Sequence, residues 1–119
     1  MGQRVLFVDD DVNILAAYKR QLRKDFDLEI AEGGLNGLEV IKEKGPFAVV
    51  VSDYKMPNMD GNQFLAQVKK IDPDISRIMI TGFADLNMAM EAVNEGNIFR
   101  FLTKPCSQPK TSLTSLIQA

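Results

Sequence analysis

Short apolar runs alternate with stretches of helical periodicity from one end of the chain to the other. Val5-Leu6-Phe7-Val8 is an unbroken apolar run, and Ile14, Leu15, Tyr18 and Leu22 behind it recur at the spacing of one helix face. Leu28 and Ile30 then alternate with Asp27 and Glu29, and Leu35, Leu38 and Ile41 follow with a helical period. Phe47 to Val51 is continuous and rich in β-branched residues. The breakers Pro57 and Gly61 separate it from a helical stripe at Phe64, Leu65, Val68 and Ile71. Ile78-Met79-Ile80 precedes a stripe at Leu86, Ala89, Met90 and Val93, Ile98 to Leu102 forms the last strand, and Leu113, Leu116 and Ile117 mark a short closing helix.

Five strands alternating with five helices predict an α/β sheet of parallel strands with helices on both faces. Interior strands of such a sheet are covered twice and read as unbroken apolar runs. The first, third and fourth strands do so, whereas Asp27 and Glu29 interrupt the second and Arg100 the fifth, which makes those two the edges. With right-handed crossovers the simplest order is 2-1-3-4-5, a flavodoxin-like (βα)5 doubly wound sheet whose switch point lies between strands one and three.

At 119 residues with 45% hydrophobic residues the chain suits a single domain with a real core. Fourteen basic against sixteen acidic side chains leave a formal charge of −2, which offers no polyanion-binding surface and no reason to expect direct contact with nucleic acid. Cys106 is the one cysteine, so neither an intrachain disulfide nor a cysteine zinc site can form, and a reducing, cytoplasmic setting is expected. No apolar run approaches the roughly 18 residues that span a bilayer, so no membrane partner is expected. Histidine is absent, which leaves any chemistry to carboxylates, hydroxyls and amines.

In a sheet of this topology a ligand sits beyond the carboxyl ends of the strands at the switch point. Strand one ends in Asp9-Asp10-Asp11, strand three in Ser52-Asp53, strand four in Thr81-Gly82 and strand five in Thr103-Lys104-Pro105. Asp11, just before a helix, reads as its N-cap. Any one such residue is ordinarily a cap or turn residue, but independent caps have no reason to place acids, a hydroxyl and an amine at four strand ends together. Clustered carboxylates repel, and a divalent cation relieves them. Mg²⁺ prefers hard oxygen ligands, which Asp9, Asp10 and Asp53 supply.

Val8-Asp9-Asp10-Asp11, Ser52-Asp53, Met56-Pro57-x-Met59-Asp60-Gly61, Thr81-Gly82 and Phe101-Leu102-Thr103-Lys104-Pro105 together resemble the signature set of two-component response regulator receiver domains, over essentially the whole chain. The resemblance implies that Asp53 accepts a phosphoryl group from a histidine kinase or histidine phosphotransfer protein. Asp10 would bind Mg²⁺ directly, Asp9 chiefly through water, and Lys55 through its backbone carbonyl. Thr81 and Lys104 would stabilise the phosphoryl oxygens, with the Lys104-Pro105 peptide bond cis. Thr81 and Phe101 would form the switch, and Lys55 and Phe83 would flank the water that slowly removes the phosphate. The signalling surface would be the fourth helix, fifth strand and fifth helix, including Met88, Glu91, Asn97 and Arg100, which could also form a homodimer. The stretch from Ala92 to Leu102 looks most like receivers fused to output domains such as HD-GYP-type phosphodiesterases. The expectation is therefore an N-terminal receiver, residues 1–119, of a longer protein rather than an enzyme in its own right, with a stand-alone receiver as the alternative.

Two other classes compete. Asp9-x-Asp11 with Thr81 and Lys104 superficially resembles a haloacid-dehalogenase-like aspartyl phosphatase, with Asp9 as nucleophile and Asp11 as acid. That reading leaves Asp53 without a role and lacks the late acidic metal motif. A phosphorylation-independent interaction module is the other, and the intact set of acids, threonine and lysine argues against it.

Overall fold

The computed structural model describes residues 4–98 and 100–103. The chain forms β1 (Arg4–Asp9), α1 (Val12–Leu22), β2 (Asp27–Glu32), α2 (Gly34–Lys44), β3 (Val49–Asp53), α3 (Gly61–Ile71) and β4 (Ser76–Thr81). A 3₁₀ turn (Phe83–Asp85), α4 (Leu86–Asn94) and β5 (Arg100–Thr103) follow. The expected closing helix lies outside the described residues.

All strand pairs are parallel and the order is β2-β1-β3-β4-β5, the predicted one. The cause is the polarity of the strands. β1 and β3 are buried along nearly their whole length, whereas β2 exposes both terminal acids, Asp27 and Glu32, and Arg100 of β5 is exposed. Because side chains alternate along a strand, each central strand feeds two cores. Leu6, Val8, Val50 and Met79 pack with Ile41, Phe64, Leu65, Val68 and Ala89 of α2, α3 and α4. Val5, Phe7, Val49, Val51, Ile78 and Ile80 pack against Leu15 and Leu22 of α1 on the opposite face, where Tyr18 stacks obliquely on Phe7 at 5.0 Å between ring centroids.

Helix orientation departs from the apolar stripes in two places. In α2 the buried positions are Gly34, Gly37 and Ile41, and Leu35 is 63% exposed. A Cβ on Gly37 would lie 2.8 Å from the Phe64 ring and 3.0 Å from Val8, so the helix backbone itself packs against α3 and β1 where a glycine allows it. In α4 Ala89 and Ala92 are buried, whereas Met90 and Val93 are exposed along with Met88. Small residues permit the closest approach, so they, rather than the larger apolar ones, set which side faces the sheet. The strand boundaries also shift: β3 begins at Val49 rather than Phe47, and Ile98 is buried just outside β5.

Candidate functional site

Asp9 is the last residue of β1 and Asp53 the last of β3, and these strands are neighbours in the sheet. Both carboxylate-bearing residues are buried, while Asp10 on the loop beyond β1 is exposed. One carboxylate oxygen from each of Asp9, Asp10 and Asp53 lies within 4.8 Å of the other two. Three acids this close favour a hard cation on both charge and donor type, and oxygen-only donors fit Mg²⁺.

Local sequence builds this arrangement. Asp9 Oδ1 accepts a hydrogen bond from the Asp11 amide at 3.0 Å, which turns the chain at the end of β1. Asp11 then caps α1, accepting from the Asn13 amide at 2.9 Å, as its position before a helix predicts. The Gly33 amide donates to the Asp9 carbonyl at 3.0 Å, with Gly33 at φ 87°, a conformation open to glycine. Beyond Asp53 the chain crosses back: the Tyr54 amide donates to Ile80 at 2.9 Å and the Gly61 amide to the Tyr54 carbonyl at 2.7 Å. Any Cβ at Gly61 would collide with the Asp53 carbonyl oxygen and approach Tyr54 Cα to 2.8 Å, so glycine is required beside the acid. Asp60 and Gln63 form a reciprocal capping box that starts α3 immediately afterwards.

Thr81 closes β4 one residue beyond Ile80, the register partner of Asp53, and it is buried. Its hydroxyl donates to the Gly82 carbonyl at 3.4 Å, a long hydrogen bond. Lys55 stands exposed two residues past Asp53. Phe101 is half-buried against the α2–α4 core and is the register partner of Met79. Lys104 and Pro105, with their expected cis bond, lie outside the described residues; among the described residues the Gly45-Pro46 bond is cis. Met88, Glu91 and Arg100 are exposed as expected of a contact surface, but Asn97 is half-buried and donates to Asn62 Oδ1 at 3.0 Å.

Sequence reasoning passed over three features. A cleft of about 390 Å³ opens beside Asp10 between the β2–α2 and β3–α3 loops, lined by Glu32, Leu35, Pro57 and Met59 among others. Tyr54, next to Asp53, has its phenol pushed above the usual value of 10.0 by burial and by the nearby carboxylates of Asp60, Asp85 and Glu91. Arg77 is buried within β4, and its position amid an apolar strand was the signal available.

The fold and the acidic cluster at its switch point define a flavodoxin-like α/β domain of the receiver class. The chain belongs to the response regulator receiver domain family, whose model matches residues 5–117. It is a signalling domain of two-component systems, in which response is linked to phosphorylation. It resembles the hydrogenase transcriptional regulatory protein HoxA of Bradyrhizobium diazoefficiens, with 32% identity over 85% of this chain and 21% of that protein. It is also similar to sporulation initiation phosphotransferase F of Bacillus subtilis, with 30% identity over 85% of this chain and 82% of the relative. Among solved structures, one described as adenylate cyclase from Rhodopirellula baltica superimposes with a TM-score of 0.93 at 41% identity, covering 99% of this chain and 86% of that one. The chain spans about a fifth of the length of the larger curated relative, 21%. No described helix is long and apolar enough to cross a membrane.

Proposed function

We propose that Asp53 is the phosphoacceptor and that its phosphorylation by a histidine kinase or histidine phosphotransfer protein resets a surface read by an output domain. The observation that carries this reading is the convergence of Asp9, Asp10 and Asp53 within 4.8 Å at the end of two central strands. In the transfer, an Asp53 carboxylate oxygen forms a bond to phosphorus as the phosphorus–nitrogen bond of the donor phosphohistidine breaks. The imidazole leaves with the bonding pair and takes up a proton. An ionised carboxylate needs no general base, which suits a chain without histidine. Asp9 and Asp10, with the Lys55 carbonyl, would hold Mg²⁺, and the bound ion supplies charge neutralisation for the transferring phosphoryl oxygens. Thr81 donates its hydroxyl to one of those oxygens and Lys104 its ammonium to another, so that the threonine exchanges its long bond to Gly82 for a charged acceptor. Phe101 follows by repacking.

On this reading the domain is the N-terminal part of a longer cytoplasmic protein, and the greater length of relatives such as HoxA, of which it covers 21%, supports the longer protein. Its output face is that of the fourth helix, fifth strand and fifth helix, with a homodimer as one form of readout. The test is mass spectrometry after incubation with acetyl phosphate and Mg²⁺. Wild type is expected to gain one phosphoryl group and Asp53→Asn none. Labelling that survives Asp53→Asn but vanishes in Asp9→Asn would instead establish the aspartyl phosphatase chemistry.

A further inference from the structure

The strand that ends in Thr81 carries at its other end a buried arginine, and the two ends hold α4 very differently. The Arg77 guanidinium donates to backbone carbonyls of two loops, the one before β4 and the one after α4: Nε to Asn97 at 2.8 Å, Nη2 to Gly96 at 3.1 Å, and Nη1 to Pro73 and Ile75 at 3.1 Å each. Gly96 and Asn97 follow Glu95, the C-cap residue of α4, and close that end of the helix. Their amides return to Val93 at 3.0 Å and Ala92 at 2.9 Å, with Gly96 at φ 77°, the arrangement that closes a helix through a left-handed glycine. Asn97 is tied to Asn62, and Lys69 Nζ reaches the Glu95 carbonyl at 3.5 Å, which joins the same end to α3.

Among the described residues the N-terminal end has no equivalent. Asp85 occupies the cap position without a side-chain hydrogen bond to the helix, and the preceding 3₁₀ turn is held by the Asp85 amide on Gly82 at 3.0 Å. A Cβ at Gly82 would meet nothing within 4 Å among the described residues, so the chain is open at that position between Thr81 and the helix. Between the two ends α4 buries only alanines, Ala89 and Ala92, and small side chains contribute little apolar area.

We infer that Arg77 is a positioning residue that anchors the C-terminal end of α4, so that a change at Thr81 swings the helix about that end and displaces its first turns most. The motion would carry exposed Met88 and Met90 with it while leaving Gly96 and Asn97 in place, and it converts a local event at the strand end into a graded change of surface. This inference rests on the proposed phosphorylation of Asp53.

Hydrogen exchange on the whole chain, with and without Mg²⁺ and beryllium trifluoride as a phosphoryl mimic, tests it. In wild type the mimic is expected to change exchange at the amides of Leu86–Met90 by at least about threefold, with Glu91–Asn97 unchanged. Arg77→Lys keeps the charge but cannot span the same carbonyls, and is expected to extend the change into Glu91–Asn97. An even change along α4 in wild type, or one larger at its C-terminal end, overturns the anchor. So does an Arg77→Lys profile identical to wild type. If Arg77→Lys does not fold, the wild-type gradient alone decides. Labelling of Asp53 by acetyl phosphate separates the two ideas: an even profile in a protein that labels refutes the anchor only, whereas absence of labelling refutes the phosphoacceptor reading and the anchor with it.

Discussion

Replacing Asp10 by asparagine should stabilise the metal-free protein and abolish its response to Mg²⁺. The Asp10 carboxylate has an oxygen within 4.8 Å of oxygens on both Asp9 and Asp53, and Asp10 itself is exposed, so the dielectric of water is the appropriate one. At that separation each like-charge pair costs about 0.9 kcal/mol, and screening at physiological salt reduces this to about 0.5. Two pairs give about 1 kcal/mol, and the ammonium proposed for Lys104 would offset part of it, leaving about 0.5–1 kcal/mol. For a domain of this size that corresponds to a rise in Tm of roughly 2–5 °C in EDTA. Mg²⁺ at ten times its Kd should stabilise wild type by about 1.4 kcal/mol and the variant far less. Thermal unfolding by circular dichroism in EDTA and across a Mg²⁺ titration measures both arms. An Asp10→Asn protein that melts below wild type in EDTA, or gains as much from Mg²⁺, would refute the argument that these acids form a strained cation site.

Gly61→Ala should destabilise by about 2–3 kcal/mol, because the added methyl presses on backbone atoms of Asp53 and Tyr54 rather than on a side chain that can rotate away. It should also slow acetyl phosphate labelling. A change within about 0.5 kcal/mol in urea unfolding would show that the loop yields freely. Tyr54 offers a pH test. Its folded phenol holds its proton more tightly than the unfolded one, so the stability linked to that proton is complete below the unfolded value near 10.0 and is lost as pH rises towards the higher folded value. The stability of wild type relative to Tyr54→Phe should therefore fall above about pH 10, and a flat difference in urea midpoints would contradict this.

Much of the site was legible because its residues sit at strand ends, and strands announce themselves by local pattern. The apolar runs before Asp9, Asp53 and Thr81 locate the ends, and the acids interrupting β2 identify an edge. The helix faces were less legible. Leu35 and Met90 carry strong apolar weight yet point outward, since contact between a helix and a sheet is decided by how near the backbones can come, and Gly37, Ala89 and Ala92 win that contest. Asn97, expected on an exposed surface, is turned towards Asn62 for a similar reason: its fate depends on a helix 35 positions away.

Sequence by itself determined the strand order, the switch point and the identity of the acids gathered there, because periodicity and chain order are local properties that a parallel sheet converts into position. Only the tertiary structure decided that the three carboxylates approach within 4.8 Å, that Gly61 must lack a side chain, and that Arg77 clasps carbonyls 19 and 20 residues further on. Those are contacts between distant segments, set by the packing of whole elements against one another, and no window of neighbouring residues contains them.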